Sequence, residues 1–153
     1  MMQLRSILRA CAVLTTTLAV FCSSSLRADS PPQHYEVKNG TVRATSTKLT
    51  WQQTIDQTKR SWNDSSRYCQ ELQLAGTGWR LPTLKELLTL VDPARSTWPV
   101  IDIVAFPDTP ADLFWSANSW VMDGSYGWTV DFHMGNSAKD HAKSVGGYTR
   151  CVR

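Results

Sequence analysis

Histidine, carboxylate, cysteine and an unusual number of tryptophans are the residues of this chain whose chemistry could carry a function. His34 stands apart, while His133 and His141 flank a polar stretch from Gly135 to Lys139. With Asp131 or Asp140 they would make a metal site, provided that one histidine on a strand and one in a loop were brought together. Solvated polar residues explain the same pattern more simply. Asp102, Asp108, Asp112 and Asp123 supply hard oxygens, yet their spacing matches no calcium loop. No GxSxG, HExxH, CxxC or phosphate-cradling glycine loop occurs. The expectation is therefore no catalytic residue, no metal and no cofactor.

All seven tryptophans lie between Trp51 and Trp128. Trp51, Trp62 and Trp79 occupy strand or helix positions where a large ring fills a core, and core packing is also expected for Trp115 and Trp128. Trp120 lies near a loop and is the one expected to be exposed. An exposed indole stacks on the apolar face of a sugar or anchors a partner protein. Asn118, Asp123, Tyr126, His133 and Asn136 surround it in sequence and complete a candidate ligand-binding set.

Cysteine chemistry depends on the compartment. Arg5 and Arg9 precede an uncharged stretch from Ala10 to Cys22, followed by Ser23, Ser24, Ser25 and the small Ala28, the order of a secretory signal. At about 13 residues the stretch is too short to span a bilayer core of ~30 Å as a helix. Residues 1–28 are thus expected to be cleaved, with a lipid anchor at Cys22 as the lesser alternative because Phe21 is poorly suited to it. Cleavage removes Arg5, Arg9 and Arg27 and no acid, leaving 13 basic residues against 13 acidic ones. A neutral chain gives no warrant for a nucleic-acid partner or an anionic membrane. It also leaves only Cys69 and Cys151, which in an oxidising compartment read as one disulfide, the alternative being two buried thiols.

The elements that must position these residues follow from periodicity. Residues 29–34 form a polar, Pro-rich lead-in to one domain over 35–153. Alternation around Asn39-Gly40, the strongest short hairpin signal, predicts strands near 35–38, 41–45 and 48–52. Trp62, Ser65, Cys69 and Leu72 recur at helical spacing, with Ser61 and Asp64 resembling a capping box. A helix is predicted over 62–73, ending at Ala75-Gly76. Thr83 and Glu86 start a second helix carrying Leu84, Leu87, Leu88 and Val91, which Pro93 stops. Prolines around VIDIVAF between 93 and 113 indicate an ordered loop with one helical turn. Strands are expected at 114–120, 127–132 and 148–152, with turns at Asp123-Gly124 and Gly135-Asn136. Strands, helices, a long loop and strands again make an α+β order.

The stretches NGTVRATSTKLTW (39–51), SWNDSSRYCQEL (61–72), GWRLPTLKELLTLVD (78–92), IDIVAFP (101–107), FWS (114–116), GWTVDFHMG (127–135) and YTRCVR (148–153) resemble, in order, the C-terminal domain of the Legionella collagen-like protein and its bacterial relatives. That resemblance implies a C-type-lectin-like fold: two short helices packed on a small antiparallel sheet, a long irregular loop region, and a cysteine of the first helix joined to one on the last strand. Calcium-dependent lectins carry a WND on a late strand, but Trp62-Asn63-Asp64 here opens a helix, where Asp64 serves as a cap. The formylglycine-generating oxidase shares the fold and uses a copper-binding cysteine pair, for which a chain with both cysteines in a staple has no ligands.

Together these features predict an exported, periplasmic or secreted, non-catalytic binding module. Its expected partner is a glycan, with glycosaminoglycan-like polymers first. The alternative is an envelope or cell-surface protein bound by a structural or interaction module, with no membrane span in the mature chain.

Overall fold

The computed structural model describes residues 34–153; the expected signal peptide and all but the last residue of the lead-in lie outside them. Asn39 and Gly40 both take positive φ, 51° and 74°, as a two-residue hairpin loop requires. They join β1 (Tyr35–Lys38) to β2 (Thr41–Ala44), which pairs in turn with β3 (Thr50–Gln52) in an antiparallel sheet. A second antiparallel sheet holds β4 (Leu113–Ser119), β5 (Tyr126–Asp131) and β6 (Asn136–Ala142), in that order. The architecture is thus mixed α and β, with two three-stranded sheets in place of the single small sheet expected.

Between the sheets run α1 (Trp62–Glu71) and α2 (Leu84–Leu88). The Ser61 hydroxyl accepts from Asp64 N–H and donates to the Asp64 carboxylate, so the expected box is half formed. α1 ends two residues earlier than predicted, because Leu72 turns extended and caps onto Cys69 O. α2 is a single short helix behind a complete capping box. Its predicted continuation fails beyond Leu88, and Val91 instead bridges Ile101 across the loop. That loop contains a cis Trp98-Pro99 peptide and one helical turn, closed by Phe106 N–H on Asp102 O.

Two elements differ from expectation in a way that matters for the site. Residues 136–142, read as turn and polar loop, are β6. This is an edge strand whose residues are mostly exposed, so it carries no apolar alternation to announce it. Residues 148–152, expected as a strand, instead make isolated bridges to several places. Tyr148 pairs with Phe114, and Val152 pairs with both Trp51 and Arg80. The segment therefore sutures the second sheet to the first.

Core packing follows the suture. Val42, Trp51, Leu87, Ile101, Phe106, Phe114, Phe132 and Val152 form the main cluster. A second cluster gathers Trp79, Leu81 and Trp115 around the Cys69–Cys151 disulfide, whose Cα atoms are 5.4 Å apart. Trp62 and Leu72 pack against this cluster from α1, the stripe on which the helical spacing placed Cys69.

Candidate functional site

The six candidate ligand residues divide between the two ends of the second sheet. At the β4–β5 hairpin, Trp120 N–H donates to Tyr126 O at 3.0 Å, which sets the two rings edge to face with centroids 6.1 Å apart. Lys139, on β6, places its Nζ 5.4 Å from the Trp120 ring centroid. Trp120 is half-buried rather than open. Beyond it the hairpin tip projects Val121 and Met122 into solvent, 94% and 82% exposed.

Asp123 and Asn118 have structural partners, the first within the hairpin and the second on α2. The Asp123 carboxylate accepts from Ser125 N–H and Oγ at 2.9 and 2.6 Å, and these bonds hold it below the usual carboxylate range. Asn118 Oδ1 accepts from Leu84 N–H at 2.8 Å, satisfying a free donor at the start of α2. Lys143 reaches back to Ser119 Oγ at 2.6 Å and lies 4.3 Å from the Trp62 ring centroid, tying the hairpin to α1.

His133 and Asn136 sit at the opposite end of β5, on the β5–β6 turn. There the His133 ring lies against Trp98, centroids 4.0 Å apart. Trp98 is 66% exposed, the most open of the seven indoles, and it went unremarked in the sequence. Its signal was position: a tryptophan between Pro93 and Pro99, directly behind the polar Arg95-Ser96-Thr97. His141 is at the other end, its ring 4.8 Å from that of Trp115 and its Nε2 3.4 Å from Gly146 O. The two histidines therefore share no site. Among the described residues no group of three or more His, Cys, Asp or Glu is placed to hold a metal.

A groove of about 470 Å³ opens along α1, lined by Lys59, Arg60, Asp64, Arg67 and Tyr68 among others. Its cations are already matched: Lys59 with Asp112 at 2.7 Å, Arg60 with Asp56, and Arg67 with Asp64. An anionic ligand there would have to displace an existing carboxylate. Lys139 forms no ion pair among the described residues and carries no such cost.

These features define a disulfide-closed α and β domain with aromatic side chains set at both ends of one sheet. The chain belongs to the Lcl C-terminal domain family, which matches residues 40–153. No curated protein matches it.

Proposed function

We propose that this chain is an exported, non-catalytic binding module of C-type-lectin-like fold that takes an anionic polysaccharide at the Trp120–Tyr126–Lys139 end of the second sheet. The observation that carries the proposal is the unpaired Lys139 ammonium beside the Trp120 ring. An aromatic face receives the C–H face of a sugar ring, and an adjacent cation receives its carboxylate or sulfate. Export is supported by the buried disulfide, a bond that persists in oxidising compartments. Among the described residues no helix is long and apolar enough to cross a membrane. The lectin-like reading is supported by the helix-to-C-terminal-segment disulfide and by the long irregular loop between the sheets. Both cysteines of the described chain are joined, so neither is a free nucleophile.

A glycan array followed by titration with heparin tests this. Binding is expected to weaken about tenfold or more in Trp120→Ala and in Lys139→Ala, and to fall with added salt. An array blank for sulfated, uronic and neutral glycans alike rejects it. The exposed Val121 and Met122 favour a second reading, an envelope protein seated on the hairpin tip. That reading requires a stoichiometric partner whose capture ignores carbohydrate and is lost in a Val121→Asp, Met122→Asp double variant.

A further inference from the structure

Trp98 is an exposed aromatic side chain for which neither the core nor the proposed site has a use. Burial of an indole is among the largest single gains available to a folding chain, yet this one is left two-thirds in water. It is nevertheless held in place. One face lies on the His133 ring. The loop beneath is pinned by Arg95, whose Nε donates to Pro99 O and whose Nη2 donates to Thr97 Oγ1, both at 3.1 Å. Val100 N–H bonds Phe132 O at 2.8 Å, and Asp92 N–H bonds Val100 O at 2.9 Å. Gly135 lets the β5–β6 turn approach closely, since a Cβ there would come within 3.2 Å of both Val91 and Val100. An exposed ring that is already ordered loses little freedom when a ligand covers it. Around it are the hydrophilic groups that suit a saccharide: exposed Thr97 and Asn136, and a His133 ring whose nitrogens bond to nothing among the described residues.

We infer that Trp98 and His133 form a second saccharide-stacking subsite, separate from the one at Trp120 and resting on the same functional reading. The two lie beyond opposite ends of β5, whose five residue steps from Tyr126 to Asp131 span about 17 Å at ~3.3 Å per residue. A short fragment reaches one of them. A polymer that engages one end presents its remaining rings to the other at high effective concentration, so the pair favours long chains over short ones.

The test is titration calorimetry with intact heparin and with a heparin-derived tetrasaccharide. Wild type is expected to take up about two tetrasaccharides per chain, and Trp98→Ala and Trp120→Ala about one each, while either variant binds intact heparin roughly tenfold or more weakly. Trp98→Leu, which keeps an apolar side chain in the loop, is expected to behave as Trp98→Ala and covers the case in which the alanine variant unfolds. His133→Ala, which leaves the indole without its support, is expected to weaken the second uptake. If both Trp98 variants match wild type in stoichiometry and in heparin affinity, or if Trp120→Ala alone abolishes all uptake, the second subsite is refuted while the Trp120 reading stands. If wild type binds neither probe, both fall.

Discussion

Arg150 is fully buried, and its guanidinium donates to Gln52 O at 2.7 Å, to Gln53 O and to Thr109 Oγ1 at 2.8 Å, with Asp108 at 3.6 Å. Burial lowers its pKa to about 10 and the Asp108 charge opposes that shift, so it remains a cation at neutral pH. It lies over the Phe106 and Phe114 rings, 4.6 and 5.9 Å from their centroids. Replacing it by Met leaves two backbone carbonyls without this donor and the Asp108 carboxylate, which accepts from Ile55 N–H at 2.7 Å, without its countercharge; urea unfolding is expected to show a loss of about 2–5 kcal/mol. Lys, a point charge, cannot restore the forked contacts and is expected to rescue little. Close packing is as strict around Trp115. A Cβ on Gly147 would sit 2.8 Å from its Nε1, which donates to Arg60 O at 2.8 Å. Gly147→Ala is expected to cost about 1–3 kcal/mol in the same assay. Neither role was legible in the sequence. YTRCVR marked a family resemblance, but a buried charge is defined by acceptors about a hundred residues away, such as Gln52, and no local spacing encodes them.

Elements were legible where their signals are local. Asn39-Gly40, Thr83 with Glu86, and the stripe carrying Cys69 each announce themselves within a few residues, and each stands where expected. β6 was not legible, because an edge strand facing water needs no apolar period. The 148–153 segment was half legible: its apolar alternation is real, but its three bridging partners lie in three different parts of the chain. Of the candidate ligand residues, Trp120 and Tyr126 do meet, Asp123 is taken by Ser125 beside it and Asn118 by the start of α2, and His133 and Asn136 lie elsewhere. A linear window cannot tell which end of a strand a loop returns to. The capping box makes a pH prediction. Bidentate hydrogen bonds from Arg80 at 2.7 and 2.8 Å, with Thr83 N–H, hold the Glu86 carboxyl down to about 2, against about 4.3 when unfolded. A depressed carboxylate stabilises the fold above its unfolded value and loses that contribution as pH falls toward its folded one. The thermal midpoint of wild type is therefore expected to drop between about pH 4.5 and 2, with part of the drop missing in Glu86→Gln. Identical acid profiles for the two proteins contradict this.

At the scale of the molecule, one short segment does the joining. Tyr148 exchanges backbone hydrogen bonds with Leu113 and Trp115, Val152 with Arg80, and Arg153 with Thr50, all at 2.9–3.0 Å, while Cys151 closes a separation of 82 residues back to α1. The chain-entropy account puts that closure at roughly 4–5 kcal/mol. A Cys69→Ser, Cys151→Ser double variant is expected to lose up to that much in denaturant titration, and to unfold with the same midpoint with or without reductant. Sequence order then gives the suture a further meaning. Residues 148–153 follow every element they join, so a chain cut after Gly147 keeps the strands of both sheets and loses these backbone hydrogen bonds, the disulfide and the bridges of Val152 to Trp51 and Arg80. The hairpins rest on pairs close in sequence, whereas closure of the domain waits for this segment. Cutting the chain after Gly147 is accordingly expected to yield a fragment that trypsin clears at a concentration the closed domain survives.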